Sequence, residues 1–416
     1  MSITAIKGMN DVLPGQVETW QFLERRAREV FGAFGFSEIR TPIVEKTELF
    51  CRSIGETTDI VEKEMYTFND KSDNSLTLRP EGTAPVMRSF IQNRLNTLDP
   101  VSKLYYMGPM FRYERPQKGR YRQFHQIGAE VIGVEDPKID AQVLAMLHHY
   151  FQDIGISSVA LQINSLGCPA CRPTYRQALI DYLEARLVSL CNECQRRYTT
   201  NPLRVLDCKA SGCKEATLDA PSVLEHLCGE CDEHFAQVQS LLDELAVPFS
   251  VNERMVRGLD YYVRTTFELV TDQLGSQNAV AAGGRYDGLV ESLGGPSLPG
   301  IGFAIGLERL VLMKDDAQAQ TARPDLFLAA LGEEAAQKAF VLMTELQRNG
   351  FRAEMDYQGK SLKAQMRRAN KLKSRFTVIM GESELQSGRA ELKDMDQSTQ
   401  DQIALDSLVE ELSARR

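Results

Sequence analysis

The sequence predicts an α+β chain: a sheet with hairpin character and flanking helices, a mainly helical insertion within it, and a separate C-terminal α/β domain. Three observations carry this reading. Phe111 to Glu130, FRYERPQKGRYRQFHQIGAE, alternates as two strands joined by a charged loop. Between Cys168 and about Leu245, strand character gives way to cysteine pairs and helical runs such as Tyr175 to Leu190. From Ala322-Arg-Pro-Asp325 onward strand and helix alternate, the pattern of a small, mostly parallel domain. The predicted limits are residues 1–322 for the first domain, with the insertion at about 166–246, and residues 323–416 for the second. Polar Lys314 to Arg323 reads as the linker.

Taken in order, Gln16 to Gly32 is an amphipathic helix, with Trp20, Leu23, Ala27, Val30 and Phe31 at helical spacing. Phe36 to Thr41 reads as a strand halted by Pro42, and Ser75 to Arg79 as a strand leading into the turn Pro80-Glu-Gly-Thr83. After the hairpin come a helix over Ala141 to Phe151 and a strand over Ser157 to Asn164. Strand pattern returns at Phe249 to Glu253 and Thr265 to Val270, then in Ala279 to Gly288, a small-residue strand ending in a double glycine, and in Gly300 to Arg309, a glycine-rich strand passing into a helix. In the second domain the reading is strand 326–331, helix 334–347, strand 351–355, basic helix 362–372, strand 376–380, then one further strand and a helix.

With 416 residues, 43% apolar and 25% charged, the chain has the composition of a soluble globular protein of two or three domains. The start MSITAIKGMNDVLPG lacks a basic stretch followed by an apolar one, and no run approaches the ~18 apolar residues of a membrane span. A cytoplasmic, membrane-free protein is expected. A net charge of −9 argues against a general nucleic-acid coat, so any such contact must use local basic patches. Nine cysteines in that compartment read as thiols or metal ligands rather than disulfides.

The hairpin is the most informative stretch. Arg112 and Glu114 are expected on one face of the arriving strand, and Arg122, Phe124, Gln126 and Glu130 on one face of the returning strand, with Ile127, Ala129 and Val131 opposite. Burying such a polar face costs several kcal/mol unless it is partnered. That suggests a site for a charged molecule with a flat ring; the alternative is a solvated edge hairpin. Glu81 and Thr83 sit where a strand hands over to a helix, where the plain reading is capping by Thr83 with Glu81 solvated.

FRYERPQKGRYRQFHQ resembles motif 2 of the class II aminoacyl-tRNA synthetases. The helix, strand and Pro42 near the start resemble motif 1, and Gly300 to Leu310, GIGFAIGLERL, resembles motif 3. Arg257 to Tyr262, RGLDYY, and Ala281 to Leu289, AAGGRYDGL, resemble the two signature peptides of the histidyl-tRNA synthetase family. All stand in family order. The resemblance implies a class II antiparallel sheet, an anticodon-binding C-terminal domain, and a homodimer built through motif 1. The implied partners are L-histidine, ATP with Mg2+, and tRNA(His).

Residue roles follow from the same resemblance. Arg112 and Arg257 would grip the α-phosphate. Adenine would lie between Phe124 and Arg309, with Glu114 near its amine and Arg120 toward the outer phosphates. Glu81, Thr83 and Gln126 would take the amino group of histidine, and Glu130, Tyr262 and Tyr286 its side chain. The loop from Arg115 through Gln117 to Gly119 would meet the acceptor end of tRNA. The basic run Lys360, Lys363, Arg367, Arg368, Lys371 and Lys373 is either an anticodon-side patch or a solvated helix face. Two rival readings are an inactive relative serving as regulatory subunit of ATP phosphoribosyltransferase, and a class II synthetase for another amino acid. An intact RGLDYY arginine, motif 3 arginine and C-terminal domain speak against the first, and the two histidine-type peptides against the second.

The cysteines depart from many members of the family, whose insertions lack them. Cys168/Cys171, Cys191/Cys194, Cys208/Cys213 and Cys228/Cys231 form four close pairs, enough for two four-thiolate structural zinc sites. His226 and His234 are spare candidates if a thiolate is absent. The alternative is a set of free thiols packed as small hydrophobes.

Overall fold

The structure is a computed structural model that describes residues 3–55, 58–275, 278–314 and 323–415. Most of the predicted linker, residues 315–322, lies outside the described residues. The chain divides into two compact units, residues 1–318 and 319–416.

In the first unit, helix α1 (Val17–Ala33) buries Leu23, Ala27, Val30 and Phe31, the stripe its spacing predicts. Strand β1 is only Ser37–Glu38. Its ladder ends where the Ile39 amide reaches Tyr105 O, ahead of Pro42, which has no N–H to offer. Strands β2 (Val44–Lys46), β3 (Tyr66–Asn69) and β4 (Ser75–Leu78) make a small antiparallel sheet, with helix α2 (Thr47–Ile54) after β2 and helix α3 (Thr83–Gln92) after β4.

The hairpin strands are β5 (Ser102–Phe111) and β6 (Gln123–Ile132), paired from Ser102 opposite Ile132 to Phe111 opposite Gln123. Here the expectation is corrected: the arriving strand ends at Phe111, so Arg112 and Glu114 lie in the loop. The Tyr113 amide bonds Glu64 O at 2.7 Å and the Glu114 amide turns back to Arg112 O at 2.8 Å, so period-2 alternation stops there. Helix α4 (Pro137–Asp153), N-capped by the Asp136 side chain, leads to strand β7 (Ala160–Ser165).

The insertion carries helices α5 (Arg172–Glu184), α6 (Asn192–Arg197), α7 (Leu203–Leu206), α8 (Ser211–Ala216) and α9 (Gly229–Glu244). Its small core holds Tyr175, Leu179, Leu183, Cys194 and Val205, whereas Phe235, Val238 and Leu242 of α9 join the main core. Strands β8 (Phe249–Val251), β9 (Val263–Val270) and β10 (Ala279–Arg285) follow, then helix α10 (Leu289–Ser292), strand β11 (Gly300–Gly306) and helix α11 (Leu307–Met313).

Among the described residues the large sheet has eight strands in the order β1-β5-β6-β11-β10-β9-β7-β8. It is antiparallel except at its two ends, where β1 runs parallel to β5 and β8 to β7. Ile127, Ala129 and Val131 pack with Phe31 of α1 and Tyr150 of α4, the buried face that alternation predicts. Each such large side chain contributes roughly 1.5–3 kcal/mol by leaving water.

The second unit has strand β12 (Leu326–Ala330), helix α12 (Glu333–Arg348), strand β13 (Ala353–Met355), helix α13 (Leu362–Lys371) and strand β14 (Phe376–Met380). Helix α14 (Glu382–Ser387), strands β15 (Arg389–Asp394) and β16 (Gln400–Ala404), and helix α15 (Leu408–Ala414) complete it. The order is β13-β12-β14-β15-β16, and the last two strands pair antiparallel. The expectation of one final strand is thus corrected to two. Among the described residues, no helix is long and apolar enough to cross a membrane.

Candidate active site

A cavity of about 370 Å³ opens beside β6, lined by Phe124 and Gln126 of that strand, by Glu81 and Thr83 at the start of α3, and by Arg112, Glu114 and Arg120 of the hairpin loop. Arg257 and Tyr262 ahead of β9, Ala281 of β10 and Arg309 of α11 complete its wall.

Glu81 does what was expected of Thr83. Its carboxylate accepts the Thr83 and Ala84 amides at 2.6 and 2.9 Å and so caps α3 from a buried position. Burial pushes its carboxyl up, against the pull of those two amides. The Thr83 hydroxyl is thereby free to donate to Glu130 Oε1 at 2.7 Å, while the Tyr286 hydroxyl donates to Glu130 Oε2 at 2.5 Å. Glu130 is fully buried, and that burial pushes its carboxyl up to about 8. Glu130 and Tyr286 stand behind the cavity wall rather than in it.

Four guanidinium groups face this one space. Arg112 donates to Pro80 O at 2.8 Å and lies 5.3 Å from the centre of the Phe124 ring. Arg120 pairs with Glu114, and Arg257 with Glu268. Arg309 donates to the carbonyls of Gly119 and Ala279. Burial pulls Arg112 and Arg309 below the ordinary guanidinium value; it acts on Arg257 too, but Glu268 prevails and the net shift is upward. Arg120 and Arg257 have carboxylate partners, whereas Arg112 and Arg309 make no ion pair among the described residues and are left to meet an anion. The buried Gln126 Oε1 and Arg257 Nε have no hydrogen-bond partner among the described residues. Each such group costs about 1–3 kcal/mol until something fills it.

Arg115 and Gln117 do not line the cavity. The backbones of Gln117 and Arg120 bond each other reciprocally, a tight turn that carries Gly119 and Arg120 to the cavity instead. Sequence reasoning missed Tyr106, Tyr121, Tyr261, Glu268 and Glu308, all in the wall. Tyr261 had a signal, its place beside Tyr262, and Tyr106 another, since it shares the alternation of the overlooked strand β5.

The eight clustered cysteines sort into two groups, Cys168/Cys171/Cys228/Cys231 and Cys191/Cys194/Cys208/Cys213, the sulfurs within each lying inside 4.8 Å of one another. Sulfur pairs stand 3.6 Å apart at Cys168/Cys171 and 3.8 Å apart at Cys168/Cys228, Cys171/Cys231 and Cys191/Cys208. A tetrahedral zinc with bonds of about 2.3 Å requires ligand separations of about 3.8 Å. The donor sets fit. His226 and His234 belong to neither group, and each group already has four thiols. His226 packs on Tyr175, and His234 lies 3.5 Å from Asp140. Burial, then Arg285, pushes His234 down to about 4, so that contact is no ion pair at neutral pH. Asp140 pairs instead with fully buried Arg285 at 2.5 Å. In the second unit Lys360, Lys363, Arg367, Lys371 and Lys373 are exposed, and Arg368 leans toward Asp356 at 3.8 Å.

A family model described as histidyl-tRNA synthetase matches residues 8–310, and one described as an anticodon binding domain matches residues 325–415. The chain is 71% identical to the histidine–tRNA ligase of Syntrophotalea carbinolica, over 99% of this chain and 98% of that protein. It is 65% identical to that of Geobacter sulfurreducens, over 99% of both. Apo histidyl-tRNA synthetase of S. aureus superposes with a TM-score of 0.84 at 39% identity, over 99% of this chain and 100% of that one. The fold also extends, at 20% identity and a TM-score of 0.66, to a Bacillus halodurans C chain titled an ATP phosphoribosyltransferase regulatory subunit/histidyl-tRNA synthetase, over 92% of this chain and 99% of that one.

Proposed function

The chain belongs to the histidyl-tRNA synthetase family, and from that premise we propose that its cavity holds histidine and ATP side by side so that one carboxylate oxygen reaches the α-phosphorus. The activity is the ATP-dependent activation of histidine and its transfer to tRNA. The attacking group is the substrate's own carboxylate, so the protein supplies no nucleophile. It supplies alignment and charge, the means by which phosphoryl-transfer sites work.

Arg112 and Arg257 meet the α-phosphate as planar donors and offset charge as the pentavalent centre forms. Phe124 and Arg309 offer flat faces to adenine, Glu114 an acceptor for its amine, and Arg120 a cation to the outer phosphates, which magnesium accompanies. Glu81, Thr83 and Gln126 take the histidine amino group. Tyr262, with Glu130 and Tyr286 behind it, reads the imidazole. A pocket built to bond both ring nitrogens leaves polar groups unpaired around any other amino acid, which permits discrimination of roughly 10⁴ without editing. The observation that carries the reading is the convergence of four guanidinium groups with the buried Glu81–Thr83–Glu130 chain on one cavity.

The finer assignments belong to the same proposal. Residues 1–322 form the catalytic domain and 323–416 the anticodon-binding domain, with the exposed lysines and arginines around α13 facing tRNA(His). Arg115 and Gln117 meet its acceptor end. Two chains pair as a homodimer in the cytoplasm. Each four-cysteine group holds a structural zinc, supported by sulfur separations that suit a tetrahedral ion. The test is ATP–pyrophosphate exchange with each of the twenty amino acids. Histidine alone should support it, and exchange with none, or with another amino acid, would overturn the reading.

A further inference from the structure

The two cysteine groups differ in what they are fastened to. Cys168 and Cys171 come directly after β7, and Cys228 and Cys231 where α9 begins, so this inner group ties the insertion's departure to its return. The same knuckle is stapled to the segment carrying Tyr262. The Leu166 amide donates to Arg264 O at 2.7 Å, the Arg264 amide to Gly167 O at 2.9 Å, and the Arg172 guanidinium to Tyr262 O. Arg264 sits at φ +47, a left-handed conformation that a residue with a side chain keeps only when its surroundings impose it. Gly167, at φ +65, leaves no room for a side chain, because a Cβ there would stand 2.6 Å from Cys171 Sγ. On the cavity side, Arg257 lies 5.4 Å from the centre of the Tyr262 ring. Among the described residues the outer group's surroundings reach this segment by side chains alone, Asn201 to Asp260 at 3.4 Å and Arg254 to the Thr217 hydroxyl that bonds Cys213 O, with no backbone bond between them.

We propose that a zinc ion in the inner group is a positioning site for the histidine pocket: through Gly167, Arg172 and Arg264 it fixes Tyr262 where it reads the imidazole. The outer ion serves only the insertion's own core. This rests on the zinc reading above and goes further, in giving the two ions different consequences. Neither touches substrate, so the effect falls on histidine recognition rather than on the phosphoryl step.

The experiment compares the whole chain with Cys228→Ser and Cys213→Ser. Elemental analysis should find two zinc ions in the parent and one in each variant. In histidine-dependent exchange, Cys228→Ser should raise the histidine KM tenfold or more, with kcat and the ATP KM within about threefold. Cys213→Ser should leave the histidine KM within about twofold. Cys228→His, which keeps a ligand, should retain both metals and restore the KM. Should Cys228→Ser not fold, hydrogen exchange at Tyr262 to Arg264 is compared in the parent with and without chelator, and faster exchange after metal removal is expected. Parent protein without metal overturns the zinc reading itself. One zinc lost from Cys228→Ser with an unchanged histidine KM, or equal KM rises in both variants, overturns the positioning role while leaving zinc in place.

Discussion

Gly302 stands directly opposite Glu130 in the β11–β6 ladder, and a Cβ placed on it would lie 1.8 Å from Glu130 Oε2. The buried carboxylate therefore occupies the space that a side chain at 302 would take. Gly302→Ala should drive Glu130 off its bonds to Thr83 and Tyr286, raising the histidine KM at least tenfold. Overpacking of this kind costs about 1–3 kcal/mol. A normal KM with a normal melting temperature would show that Glu130 has room to move.

Glu130 also sets a pH dependence. Its folded value near 8 lies above its ordinary 4.5. Between those values the native state keeps a proton that the unfolded chain has released, so stability falls as pH rises through that window, by at most about 1.4 kcal/mol per unit. Urea midpoints of the parent should decline more steeply from pH 5 to 8 than those of Glu130→Gln. Parallel slopes would contradict the buried, high-lying carboxyl.

Arg257→Ala should slow adenylate formation about 100-fold or more while histidine binding stays nearly intact, because the lost charge acts as the barrier is crossed. Pre-steady-state activation measures this. A large loss of histidine affinity instead would move Arg257 from the phosphate to the amino acid.

Asp140→Ala should destabilise the chain by up to about 3–5 kcal/mol, since it leaves the fully buried Arg285 with only the partly exposed Asp287, at 3.2 Å, as a carboxylate partner. The joint change Asp140→Ala with Arg285→Met should recover part of that loss. Denaturant midpoints of the two single variants and the double variant decide it.

A fragment ending near residue 318 should keep histidine-dependent exchange and lose most tRNA charging, because the two units have separate cores. Equal loss of both activities in a folded fragment would show that the units do not divide the work.

The returning hairpin strand was legible because period 2 puts Phe124, Gln126 and Glu130 opposite Ile127 and Ala129, and the sheet honours that alternation. Arg112 and Glu114 were misplaced because the loop's own backbone bonds end the alternation at a point no side chain announces. The final pair β15 and β16 read as one strand because only Ile403 of the five residues of β16 is buried, which leaves it without an apolar rhythm. The cysteine pairs were plain, but which pair joins which depends on contacts sixty residues apart along the chain, as between Cys168 and Cys228. Glu268 sat unnoticed in an apolar strand, since its partner Arg257 lies on another segment.

The insertion departs from β7 and returns through β8, two strands that lie side by side with Leu161 opposite Phe249. The two strands run parallel, so the return needs a crossover, which α9 supplies; ahead of it Cys168 and Cys228, their sulfurs 3.8 Å apart, bring together the ends of the chain looped out between them. That makes residues 168–231 a module which descent can lengthen, shorten or replace without disturbing the strands. The border falls inside α9, whose Phe235, Val238 and Leu242 belong to the sheet's core and must stay with it.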